Sequence, residues 1–189
     1  TVPLDEAPDG TLLIAETNAV ATQRSLFILP KTAGSQATPY LSDAIDRPQA
    51  SISRDGKWLA YSSNESSTYQ IVVQPFPDAS KGKAQISTNG GFSPRWRSDG
   101  RELFYVDAEQ RLVAVEITTS PAFKVGKSSP LFTLQTQLRG VNATGAYPYD
   151  VAPDGKRFIV SILASGVDAA GGRVVPLTVV TNWTSLLKK

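Results

Sequence analysis

The 189-residue sequence contains no cysteine, no histidine and no methionine. Without cysteine there is no disulfide, no thiolate nucleophile and no cysteine-ligated zinc. That absence leaves the compartment open, because an exported domain with a large core can do without disulfides. The missing histidine weighs more. It removes the usual general base, the commonest transition-metal ligand and the usual activator of a hydroxyl nucleophile together. With no methionine there is no initiator residue, so Thr1 is expected to begin a processed or excised chain. Long apolar runs are also absent. None approaches the ~18 residues of a membrane span and no signal peptide is visible, so no membrane insertion by this chain is expected. Charge is sparse, at 19 Lys+Arg against 17 Asp+Glu for a net +2. The pairs Lys81/Lys83 and Lys188/Lys189 read as solvated loop and terminus, which speaks against a nucleic-acid partner. A hydrophobic fraction of 41% with 19% charged residues supports a buried core.

What is present is a repeat. Four Asp-Gly pairs punctuate the chain: Asp9-Gly10, Asp55-Gly56, Asp99-Gly100 and Asp154-Gly155, spaced by 46, 44 and 55 residues. One such pair says only tight turn, since Gly accepts positive φ and Asp caps its own turn. The columns around them say more. Four residues after each Asp stand Leu13, Leu59, Leu103 and Phe158, followed by Ile14, Ala60, Phe104 and Ile159, then Ala15, Tyr61, Tyr105 and Val160. Three residues before each Asp stand Glu6, Ile52, Trp96 and Val151. Two short strands joined by the turn account for this, and consecutive apolar residues on the second strand imply burial on both faces.

Each unit continues alike, with a third strand expected over Arg24–Pro30, Tyr69–Phe76, Arg111–Thr118 and Val174–Trp183. A fourth is expected over Thr38–Ser42, Ala84–Thr88 and Pro130–Leu134, with turn residues between. Four strands per unit of about 44 residues is the pattern of β-propeller blades. The expected fold is all-β: four blades of approximate bounds 1–43, 44–89, 90–135 and 136–189, fifteen strands in all. The last blade lacks a fourth strand, so the ring is expected to be part of a larger one.

The units SISRDGKWLAYSSN, SPRWRSDGRELFYV and YDVAPDGKRFIVSI resemble the TolB-like, WD-like propeller repeats of bacteria. The run QIVVQPFP…ISTNGGFSPRWRSDGRELFYV, with the closing VVTNWTSLLKK, is similar to the carboxy-terminal half of propellers fused behind bacterial serine/threonine kinases. The resemblance covers essentially the whole chain. It implies a protein- or ligand-binding module on the periplasmic or extracellular side of the envelope. No kinase segment is in the chain, so no kinase activity is carried over.

Candidate residues are weighed against bland readings. The turn aspartates are structural, each accepting backbone N–H groups of its own turn. Asp107, Glu109 and Glu116 show no pairing that suggests a glycosidase. No G-x-S-x-G elbow, phosphate loop or calcium-loop series occurs, so no cofactor and no metal are expected. The loops entering the innermost strands hold better candidates: Arg47, Phe92, Arg95, Tyr147, Tyr149 and Asp150. Arg and Tyr combine contact area with directed donors, although Arg95 and Asp150 also read as neutralising each other across a wet channel. Trp58, Trp96 and Trp183 read as packing residues. Asn64, Asn142 and Asn182 head Asn-x-Ser/Thr triplets, which matter only in a eukaryotic secretory setting. The expected function is non-catalytic binding or sensing at the channel mouth. An enzyme's propeller domain and a structural platform are the alternatives, and self-association through open blade edges is expected of the isolated chain.

Overall fold

Four hairpin turns of one chemistry organise the chain. In each, the glycine takes positive φ (Gly10 +84°, Gly56 +70°, Gly100 +70°, Gly155 +67°). Its N–H donates to the carbonyl three residues back, on Ala7, Ser53, Arg97 and Ala152, at 2.8–2.9 Å. The Asp carboxylate accepts the N–H two residues on, from Thr11, Lys57, Arg101 and Lys156. That backbone donor holds the carboxyls of Asp9 and Asp154 below the ordinary Asp range.

The computed structural model describes residues 1–17, 23–135, 145–161 and, as a strand, 177–181. The first sheet holds β1 (Val2–Glu6), β2 (Leu12–Thr17), β3 (Arg24–Leu29) and β4 (Thr38–Leu41) in that order. The second holds β5 (Ala50–Ile52), β6 (Trp58–Ser63), β7 (Gln70–Pro75) and β8 (Ala84–Gln85). The third holds β9 (Phe92–Trp96), β10 (Glu102–Val106), β11 (Arg111–Thr118) and β12 (Lys124–Thr133). The fourth pairs β13 (Tyr149–Val151), β14 (Arg157–Ser161) and β15 (Leu177–Thr181). Every neighbouring pair is antiparallel. The architecture is a β-propeller with four blades, the last showing three strands among the described residues. No helix there is long and apolar enough to cross a membrane.

Two strands differ from expectation for local reasons. β8 stops at Gln85 because the next residues bond differently: Ile86 N–H donates to Ile71 O, and Ser87 Oγ accepts from Ile71 N–H and donates to Gln70 Oε1. β12 starts at Lys124 rather than Pro130 because β11 is eight residues long and offers it a partner. Its polar first half, with Lys124 and Lys127, suits an exposed edge.

Blade 1 corrects the sequence columns. In blades 2, 3 and 4 the residue after the turn glycine belongs to the turn, and pairing resumes at Trp58, Glu102 and Arg157. In blade 1 it resumes one residue sooner, at Thr11. Leu12, paired with Glu6, therefore occupies the place of Leu59, paired with Ile52, and Leu13 that of Ala60. Because side chains alternate along a strand, this shift of one exchanges the two faces.

The cores lie between blades, not within them. Leu13, Leu26, Leu59, Tyr61 and Val72 pack between blades 1 and 2. Ala60, Ile71, Trp96, Leu103 and Val115 pack between blades 2 and 3, and Phe104, Leu112, Tyr149 and Phe158 between blades 3 and 4. Leu59 and Leu103 are fully buried, a burial that contributes roughly 1.5–3 kcal/mol per side chain. Ile159 breaks the expected two-sided burial. Phe158 and Val160 face blade 3, while Ile159 between them is 45% exposed. Trp96 is core, and Trp58 is half-buried against Phe123 with ring centroids 4.6 Å apart. Trp183, Asn142 and Asn182 lie outside the described residues.

Candidate functional site

The inner strands β1, β5, β9 and β13 stand side by side, and their ends at the Asp-Gly turns line a groove of about 690 Å3 to which all four blades contribute. One repeated position faces it: Asp5, Ser51, Arg95 and Asp150, each four residues before a turn Asp. They are not equivalent. Asp5 is tied down, one oxygen accepting Glu6 N–H and the other reaching into blade 2 to accept Ile52 N–H at 2.8 Å. Ser51 is buried, and its carbonyl accepts the Trp96 indole N–H.

Arg95 and Asp150 form the polar centre. The Arg95 guanidinium lies over the Tyr147 ring, 3.6 Å from its centroid. Its Nε stands 3.5 Å from Asp150 Oδ1, an ion pair whose geometry leaves that Nε buried without a hydrogen-bond partner. Two further arginines line the groove. Arg97 is engaged by Glu102 at 2.7 Å and Asp99 at 3.1 Å, and the Glu102 hydrogen bond raises its pKa. Arg54 is exposed and has no ion pair or hydrogen bond from its side chain among the described residues.

The opposite end of the inner strands is closed by protein. The segment entering blade 4 crosses to blade 2, where Gly145 passes so close to Pro48 O that a Cβ would sit 2.8 Å from it. Gln49 Nε2 donates to Ala146 O and to Ser93 Oγ, and Gln49 Oε1 accepts Ser93 N–H, so one buried carboxamide joins three blades. Tyr147 OH donates to Ala50 O at 2.9 Å and Tyr149 OH to Ser93 O at 2.8 Å. Burial pushes both tyrosines well above the ordinary range.

Of the six residues singled out by sequence, the structure brings Arg95, Tyr147 and Asp150 together. The other three stand elsewhere. Arg47 is 2% exposed, clamped through both terminal nitrogens on Asp43 at 2.6 and 2.9 Å. Those hydrogen bonds hold Asp43 below its ordinary pKa. Tyr149 is 3% exposed, and Phe92 is half-buried against Tyr69 at 5.8 Å. Burial removes Arg47 and Tyr149 from the surface: Tyr149 places its hydroxyl on Ser93 O, and Arg47 places its terminal nitrogens on Asp43 and Ile45 O while its Nε stays buried without a partner among the described residues. Sequence reasoning passed over Arg54, although it immediately precedes the Asp55-Gly56 turn on the groove side. Gln49 gave no signal, since its partners lie 44 and 97 residues away. No cluster of three or more His, Cys, Asp or Glu side chains among the described residues is placed to hold a metal.

No protein-family model matches the chain, and no curated protein sequence matches it. Solved structures do match. TolB of Acinetobacter baumannii superposes with a TM-score of 0.62 at 14% identity, over 96% of this chain and 41% of that one. A structure assigned as TolB from Agrobacterium tumefaciens gives 0.60 at 16%, over 93% and 64%. A puromycin-hydrolyzing peptidase of Mycobacterium tuberculosis gives 0.56 at 16%, over 82% and 27%. The chain thus spans less than two thirds of the length of each structure. At these identities the likeness is one of fold, and that fold is a TolB-like β-propeller.

Proposed function

We propose that the chain is a non-catalytic binding module that receives a protein segment or small ligand in the groove at the Asp-Gly end of its inner strands. The observation that carries this reading is the contrast between the two ends. One end is filled by hydrogen-bonded side chains of the protein itself, whereas the other is a groove of about 690 Å3 with two arginines short of hydrogen-bond partners among the described residues. That size lies within the range of ligand-binding clefts. The sequence resemblance extends the proposal: the module is the extracytoplasmic sensory part of a larger bacterial receptor-like polypeptide.

The test is selection of ligands from a random-hexapeptide library, followed by binding to variants. Arg95→Ala is expected to abolish capture and Lys57→Ala, on an exposed turn, to leave it unchanged. Capture that survives Arg95→Ala but is lost on changing outer-strand surface residues would instead support a structural platform. A second reading, a propeller accompanying a hydrolase, is favoured by the likeness to the puromycin-hydrolyzing peptidase. Under the binding reading, peptidase, glycosidase, esterase and phosphatase substrates stay at background rates. Turnover abolished by changing one groove carboxylate would replace it with the enzyme reading.

A further inference from the structure

We infer that the groove takes its ligand by a carboxylate, which Arg95 grips in place of Asp150; this rests on the binding-module reading above. A guanidinium presents five N–H donors in a planar fork matched to a carboxylate. Buried donors of this kind are normally satisfied. At Arg95 they are not: the guanidinium makes no hydrogen bond among the described residues, and its Nε is buried without a partner. What Arg95 does have is orientation. The Tyr147 ring fixes the plane of the guanidinium from one face, and the Tyr147 hydroxyl is itself anchored on Ala50 O. A cation held in one plane with unused edge donors is preorganised for a bidentate partner.

Asp150 is a loose counter-ion. Its side chain is 67% exposed, it stands 3.5 Å from Arg95, and its Oδ1 already accepts Val151 N–H at 2.9 Å. An incoming carboxylate exchanges for it with no change in the charge held against Arg95. Charge also selects the ligand class. The groove wall carries Asp5, Glu6 and Asp150 against Arg54, Arg95 and Arg97. Arg97 is committed to Glu102 and Asp99, and Asp5 to backbone N–H groups. A dianionic phosphate would face the two uncommitted carboxylates, Glu6 and Asp150, with only two available cations. A single carboxylate meets Arg95 with Arg54 in reserve, so a monoanion is the chemistry that fits.

The experiment uses the full chain and three hexapeptide libraries. One is amidated with Asp or Glu allowed, one carries a free C-terminus without Asp or Glu, and one is amidated and neutral. Enrichment from the first identifies a side-chain carboxylate, enrichment from the second a chain terminus, and either supports the inference. For the enriched peptides, Arg95→Gln is expected to weaken binding by about tenfold or more. Asp150→Asn should tighten it by about two- to fivefold, as expected for loss of an exposed competing charge. Opposite shifts from two neighbouring substitutions cannot come from unfolding, and melting curves of both variants check this. Equal recovery from the neutral library, with Arg95→Gln silent, overturns the carboxylate grip and leaves the groove as a binding site. Recovery from no library overturns both readings.

Discussion

Blades 1 and 2 carry the same turn pair and nearly the same apolar run, yet the residue four after the turn Asp faces the following blade in blade 1 and the preceding blade in blade 2. In blade 2, Leu59 and Tyr61 face blade 1, and Ala60 faces blade 3. In blade 1, the residues facing blade 2 are Leu13 and Ala15, which stand in the places of Ala60 and Ser62. The turn after Asp9 is one residue shorter, and a strand has no way to absorb one residue except by exchanging its faces. An alignment on the Asp-Gly pair is therefore safe for finding blades and unsafe for assigning faces. Blade 4 adds the complementary lesson. Its run Phe158-Ile159-Val160 matches Leu103-Phe104-Tyr105, but Phe104 meets Phe158 across an interface while Ile159 has no such cover among the described residues.

The largest expected effect tests this second contrast. Phe104 is fully buried and sits edge-to-face with Phe158 at 5.2 Å, so Phe104→Ala should cost about 3–5 kcal/mol in urea denaturation. Ile159→Ala, at the matching position, should cost less than about 1 kcal/mol. Equal costs would mean that Ile159 is covered. Next comes the register of blade 1. Leu59→Ala should cost about 2–5 kcal/mol and the half-buried Leu12→Ala, its structural counterpart, nearer to about 1 kcal/mol. Leu13→Ala should instead resemble Leu59→Ala, since both side chains are fully buried in one core. If Leu12 proved as costly as Leu59, the faces of blade 1 would be assigned wrongly.

Smaller effects bear on how the blades are tied at the closed end. Gln49→Ala strands the Ser93 N–H in a buried site and should cost about 1–3 kcal/mol. Hydrogen exchange at Ser93 is the sharper readout, because protection there depends on this one contact between blades. The smallest effect is acid dependence at Arg47. Hydrogen bonds from Arg47 keep the folded-state pKa of Asp43 below its ordinary 3.8. The stabilisation is therefore complete above that value and is lost as pH falls through the depressed one. Asp43 is 54% exposed, so solvent screening limits the effect to under about 1 kcal/mol. Asp43→Asn should flatten the stability curve below about pH 4 and nowhere else. A curve of unchanged slope would show that Arg47 is held by burial alone.

Much of this was legible in the residues. The Asp-Gly turns, the four units and the apolar second strands follow from local chemistry, in which a residue's neighbours in sequence are its partners in space. β11 was expected over Arg111–Thr118 and is found there, because Leu112, Val113, Ala114 and Val115 announce a strand buried on both sides. β12 was expected too short, because an edge strand rich in Lys, Ser and Gly carries no apolar signal. Among the site candidates, Arg95 and Asp150 share one repeat column, so their meeting on adjacent inner strands could be read from the repeat. The burial of Arg47 and Tyr149 could not. Arg47 lies in the segment before β5 and Tyr149 opens β13, and their partners Asp43 and Ser93 are picked out by no motif.

Sequence by itself determined the blade, because a tight turn and a two-residue side-chain period act over a dozen positions. Tertiary structure alone decided the faces and the open end. Which face of a strand is core depends on one residue in the turn and on whether a neighbouring sheet covers it, as Leu12 and Ile159 show. Which end of the inner strands is a groove depends on Tyr147 reaching blade 2 and on Gln49 of blade 2 reaching Ser93 and Ala146, contacts between distant parts of the chain. Those contacts form only once the sheets are packed, and they leave Arg95 with an aromatic support on one face and unused donors at its edge.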